Sequence, residues 1–146
     1  WQGSGAVVTM AYYLVLFAEA LALANRPHDA LDKLDEAQAV VDRTGDRYYE
    51  AEVNRVRGEI LLQARGARAA MADAEACFQR AIDISQRQGA KSFELRATIS
   101  LARLHINCEP MSDIQGRLGA IFHWFTEGMG TADLVEARRL LAELVW

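Results

Sequence analysis

The sequence predicts an all-α domain of three antiparallel helix pairs, wound as a right-handed superhelix and closed by one further helix. Three observations carry that expectation. Apolar residues recur at three- and four-residue spacing through nearly the whole chain, the period of helices with one buried face. Only two prolines interrupt 146 residues, of which 51% are hydrophobic, and such a chain can bury a sizeable core. The third is a repeated order of small and large side chains. Ala30, Leu34 and Ala37 return 44 residues later as Ala74, Phe78 and Ala81.

The first pair is expected over residues 5–44, as helices near 5–25 and 28–43. Leu14, Phe17, Ala18 and Leu21 form the packing face of the first helix, answered by Ala30, Leu34 and Ala37 of the second. Arg26-Pro27 marks the turn, because proline suits the first helical position and disfavours helix in the residue before it. Gly45 supplies a left-handed stop.

The central pair, residues 46–89, joins two patterns by a short Gly/Arg/Ala connection. Tyr49, Val53, Val56 and Ile60 share one helical face, and Ala74, Cys77, Phe78, Ala81 and Ile84 share another. Gly58 leaves room for a second helix to approach, and the stripe Ala74, Phe78, Ala81 packs into that room. These four positions are the signature of a tetratricopeptide (TPR) helix pair. The third pair, residues 91–129, consists of helices near 91–107 and 111–128 divided by Glu109-Pro110. Its packing faces are Leu101, Ala102, His105 and Ile114, Leu118, Ile121; isoleucine at both small positions implies looser or shifted packing. A last helix over 131–145, with Thr131 as its cap and Leu134, Ala137, Leu141 and Leu144 as its stripe, closes the stack. The small residues Ala18, Gly58 and Ala102 lie 40 and 44 residues apart, against about 34 in an ordinary TPR, so these helices are one or two turns longer.

Several classes of function are disfavoured. A net charge of −4 opposes general nucleic-acid binding, which requires a basic face. Cys77 and Cys108 sit inside helical patterns as small core residues of a reducing compartment. The apolar run 6–24 is long enough to raise a membrane span, but Glu19 interrupts it and its small and large residues suit a buried repeat helix. No basic segment precedes that run, and the chain opens at Trp1 in mid-pattern, as a fragment of a longer polypeptide would.

Three strings are more specific than the generic repeat: YYEAEVNRVRGEILLQ (48–63), AEACFQRAIDISQRQGAKSFELRATISLARL (74–104) and WFTEGMGTADLVEARRLLAEL (124–144). Together they resemble the C-terminal TPR region of large bacterial signalling proteins that carry an ATPase module. Many members of that family have a class III adenylate or guanylate cyclase domain at the N-terminus, and others a winged-helix DNA-binding domain. The resemblance covers nearly the whole chain and is weakest before Met10; His123 and Met129-Gly130 depart from it, where the family more often has Gly and Phe-Asp. It implies a cytoplasmic multidomain regulator, with signal transduction and ATP binding in the parent and a TPR tail as sensor or assembly surface. The chain itself holds no GxxxxGK[ST] phosphate loop and no pair of metal-binding aspartates in a cyclase context, so catalysis would belong to the N-terminal domains.

No catalytic constellation, cofactor or metal site is expected within the chain. Gly3-Ser4-Gly5 is too short for a dinucleotide fingerprint and reads as a loop or frayed end. His105 and Cys108 share a helical face, but a tetrahedral site needs more ligands, and only His28, Cys77 and His123 remain elsewhere. The carboxylate pairs Asp73/Glu75 and Asp32/Asp35 fall on solvated faces, where no apolar cleft would separate their pKa values.

The functional candidate is the concave face, lined by the first helix of each pair. Its expected residues are Tyr12, Val15 and Glu19, then Glu52, Arg55, Glu59 and Gln63, then Arg96, Ile99, Arg103 and Asn107. Arg55, Arg96 and Arg103 could each grip a carboxylate with two hydrogen bonds. This face would take a protein or peptide partner, or the parent's own ATPase and cyclase domains, with no direct contact to nucleic acid or membrane. Two alternatives stand beside it. The charges could pair among themselves, Glu59 with Arg103 for example, or Tyr12, Tyr13 and Phe17 could pair two copies into a homodimer. The carboxylate clamp of chaperone-binding TPR proteins is not reproduced, since only Arg96 matches it and Val15 and Glu19 stand where Lys and Asn are wanted.

Overall fold

A computed structural model describes residues 4–106 and 112–144. These form seven helices and no strand: α1 (Ser4–Leu23), α2 (Pro27–Thr44), α3 (Glu50–Arg65), α4 (Ala67–Gln88), α5 (Lys91–His105), α6 (Ser112–Trp124) and α7 (Ala132–Glu143). Asn107, Cys108 and the Glu109-Pro110 turn lie outside the described residues.

The punctuation follows backbone chemistry. Pro27 opens α2 at its first position, as its fixed φ and missing N–H allow. Gly45 and Gly89 end α2 and α4 in left-handed conformation, with φ of +73° and +66°. Asn25 does the same for α1 at φ +62°, and the N–H of Arg26 donates to the Leu21 carbonyl 2.8 Å away, closing the helix end. Gly66 alone separates α3 from α4, so the two helices must fold back on each other.

Several expected boundaries change. Ser4-Gly5 belongs to α1 and is not a loop. The sixth helix stops at Trp124, short of the expected 128, where Gly128 turns the chain at φ +71°. Thr131 stands before α7 in extended conformation, but its side chain makes no capping hydrogen bond.

The core runs between the paired helices. Ala30, Leu34 and Ala37 are fully buried against Val15, Ala18 and Leu21 of α1 and Val53, Val56 and Ile60 of α3. Phe78 is fully buried, and a Cβ built on Gly58 would lie 2.5 Å from its Cε1, so only glycine lets α3 and α4 come this close. Ile114, Leu118 and Ile121 of α6 join Leu134, Ala137 and Leu140 of α7 in the same core as Leu101 and Ala102. Two packing expectations fail. Phe17 is half exposed because Val15 and Ala18 already fill the inward face, and the Lys33 ammonium stands 5.2 Å from its ring centre. In α7, Leu140 is the fully buried residue and Leu141 only borders the core, a shift of one position around the helix.

Among the described residues, every helix packs only against helices one or two places away in the chain. Consecutive helices touch, and α1, α3, α5 and α7 also touch in sequence. The backbones of α2 and α4, and of α4 and α6, stay apart. Among the described residues, no helix is long and apolar enough to cross a membrane.

Candidate functional site

The layer of odd-numbered helices brings most of the predicted face together. Tyr12 and Glu19 come from α1, Glu52, Arg55, Glu59 and Gln63 from α3, and Arg96 and Arg103 from α5. Asn107 falls outside the described residues.

Its middle is a buried ion network in which charges of the face pair with one another. Arg55 donates from Nε to Glu52 Oε2 at 2.7 Å and from Nη2 to Oε1 at 3.2 Å. Arg96 of α5 donates to the same Glu52 Oε1 at 2.5 Å and lies 3.6 Å from Asp133 of α7. Glu52 and Arg55 are buried, at 6% and 9% exposure, because α5 and α1 flank α3 on both sides. Burial alone would lower the Arg55 pKa; the Glu52 hydrogen bonds, with the charges of Glu52, Glu19 and Glu59, reverse this and hold it above its ordinary value. Arg55 is therefore a fixed structural cation whose Nε–Nη2 fork is taken by Glu52, while it also borders the cavity between α1 and α3.

Ile99, expected to line the face, is a core residue with 3% exposure, and Val15, 4% exposed, contributes only to the wall of a small cavity on it. Arg103 does not reach Glu59. It donates to Glu136 of α7 at 3.0 Å, since α7 packs against α5. Gln63 is exposed and donates to the Ala22 carbonyl at 2.8 Å, tying α3 to the end of α1. Among the described residues, Glu19 and Glu59 make neither an ion pair nor a side-chain hydrogen bond.

Two cavities open on this face and share Glu19. One, of about 460 Å³, lies between α1 and α3, with Leu23, Val56, Glu59 and Ile60 in its walls. The other, of about 120 Å³, is bounded by Tyr12, Tyr49 and Phe93 above the Glu52–Arg96 pair. Its rings form a cluster: Tyr12 and Tyr49 centroids lie 5.1 Å apart, and Tyr49 and Phe93 centroids 6.1 Å apart. Burial first, then the phenols of Tyr48 and Tyr12 and the Asp46 carboxylate, raise the Tyr49 pKa, so its hydroxyl stays protonated. Tyr48, Tyr49 and Phe93 were missed as a site from sequence, although the adjacent tyrosines at the start of α3 were a visible signal.

Elsewhere polar side chains pair with one another. His105 Nε2 lies 3.3 Å from Glu75, Asp35 pairs with Arg57 at 2.9 Å, and Asp73 with Arg65 at 3.0 Å. Among the described residues, no three His, Cys, Asp or Glu side chains gather as a metal site.

Fold and site thus define an all-helical protein whose odd helices present a layered, cavity-bearing face. Among curated proteins the chain is similar to an uncharacterised protein of Rhizobium meliloti (strain 1021), at 32% identity over 102 residues. The match covers 70% of this chain, and the chain spans only 10% of that protein's length. No family model matches the chain. No solved structure matches it.

Proposed function

We propose that this chain is a non-catalytic TPR-like interaction and regulatory module, three helix pairs and a closing helix in a right-handed superhelix. One observation carries the reading. The odd helices pack on one another while the backbones of the even ones stay apart, which curves the stack and gives one continuous face to a partner. The close seat of Phe78 against Gly58 supports the same repeat geometry. The occupant is a peptide or the parent's own domains, held along that face without a cofactor.

The resemblance of the three sequence strings supports placing the module in a cytoplasmic bacterial signalling protein with an ATPase module and a class III cyclase domain. A winged-helix regulator with the same tail is the neighbouring alternative. Partner binding would bias the nucleotide state of the ATPase module. The test compares ATPase and cyclase rates of the full-length parent with those of a parent lacking residues 1–146. A changed rate is the expected result; unchanged rates overturn the regulatory role and leave passive assembly.

Self-association is the second reading, favoured by the exposed apolar surface of α1. Met10, Tyr13, Phe17 and Leu23 are 48%, 62%, 51% and 91% exposed. Light scattering across a concentration series decides it, because a strict monomer throughout excludes a dimer.

A further inference from the structure

We infer that the cavity-bearing face between α1 and α3 takes a cationic amphipathic protein segment, one with lysine or arginine among apolar residues. This deepens the interaction-module reading and rests on it.

Four carboxylates stand along this part of the face, Glu19, Glu52, Glu59 and Asp133, against two guanidiniums, Arg55 and Arg96. Both guanidiniums are engaged, by Glu52 and Asp133. Two negative charges are left over, and they are those of Glu19 and Glu59, the half-buried glutamates without partners among the described residues. Both line the larger cavity beside Arg55, whose Nε and Nη2 are held by Glu52, so among the described residues an anionic ligand there meets a net negative charge.

The cavity walls supply the second requirement. Val56 and Ile60 form an apolar floor, and Leu23 stands beside it 91% exposed. Such a leucine costs nothing in isolation, but beside a cavity of about 460 Å³ it completes a seat for an apolar side chain. Across Glu19, the rings of Tyr12, Tyr49 and Phe93 wall the smaller cavity. Aromatic faces attract cations, more strongly where water is excluded. A bare acidic patch would hold any counter-ion. Here the carboxylates sit between an apolar seat and a ring cluster, so the fitting occupant carries cations and apolar groups on one strand or helix.

The probe is a short labelled leucine–lysine peptide, followed by fluorescence anisotropy. A leucine–glutamate peptide and a glycine–lysine peptide of equal length serve as comparisons. The leucine–lysine peptide should bind best, and Glu19→Gln/Glu59→Gln should weaken it by about tenfold or more. A charge-matched variant, Asp32→Asn/Glu127→Gln, removes two exposed charges elsewhere and should change binding by less than about twofold. If the leucine–glutamate peptide binds as tightly, or if Glu19→Gln/Glu59→Gln leaves the affinity unchanged in a protein of native helicity, the inference is overturned while the interaction reading stands. Equal binding of the glycine–lysine peptide overturns the apolar part. If no peptide binds, the inference falls, and the truncation assay above judges the interaction reading separately.

Discussion

Replacing Gly58 by alanine separates tertiary packing from helix propensity, because the two predict opposite signs. Propensity alone favours the change by about 1 kcal/mol, since glycine in a helix interior is the costlier residue. The structure opposes it. The new Cβ would lie 2.5, 2.9 and 3.0 Å from three carbons of the Phe78 ring, where carbons pack comfortably at about 3.5–4.0 Å. The ring must retreat by about 1 Å, yet it is fully buried and belongs to the same core as Ala74, Ala81 and Ile82. Overpacking of this kind costs about 1–3 kcal/mol, and a site without slack falls at the upper end. The net expectation is a loss of about 2 kcal/mol, or a fall of about 8 °C in Tm for a domain of this size. Urea unfolding followed by circular dichroism gives the midpoint and the m-value together. Gly116→Ala is the control, because nothing lies within 4 Å of its Cβ, and it should stabilise by up to about 1 kcal/mol. Adding Phe78→Leu to Gly58→Ala should recover part of the loss. A Gly58→Ala protein as stable as the parent, with an unchanged m-value, would refute the close approach of α3 and α4.

The buried ion network makes a second prediction. Glu52→Gln leaves the Arg55 guanidinium buried without its counter-charge and should cost about 3 kcal/mol, whereas Glu52→Met/Arg55→Met should cost much less, by urea midpoints. Acid sensitivity makes the third. Hydrogen bonds from Arg139, and then from Arg103, outweigh the opposing effect of burial and lower the Glu136 pKa from 4.5 to about 2. A depressed folded-state pKa stabilises the fold above the unfolded value, and that stability is lost as pH falls through the folded one. Stability should therefore decline from about pH 4.5 to pH 2, and Glu136→Gln should flatten that decline; an identical slope in the variant would contradict the assignment.

What could be read from the sequence was whatever depends on size and spacing. Gly58 opposite Phe78, and Ala30, Leu34 and Ala37 against Ala18, follow from small and large residues recurring at helical period, and the structure seats them accordingly. Charge was read less well. Glu52 and Arg55 are three residues apart on a helix and look like a solvated pair until Arg96, 44 residues further on, arrives at the same carboxylate. Periodicity cannot reveal that a third helix will cover a polar face. Arg103 is placed on the face as a carboxylate-binding residue, with Glu59 as one candidate internal partner, because its partner Glu136 lies on a helix read only as a lid. Asn25 was legible and missed. An asparagine two residues before a helix-opening proline is a natural left-handed terminator.

The rule that each helix meets only its first and second neighbours has a kinetic consequence. No contact joins the two ends of the described chain, so no large loop must close before the first native interface forms. Such low contact order favours rapid folding. The centre, where α3, α4 and α5 each have partners on both sides, can form first and recruit its flanks in turn. Unfolding should reverse that order, with the amides of the closely paired α3 and α4 the last to exchange.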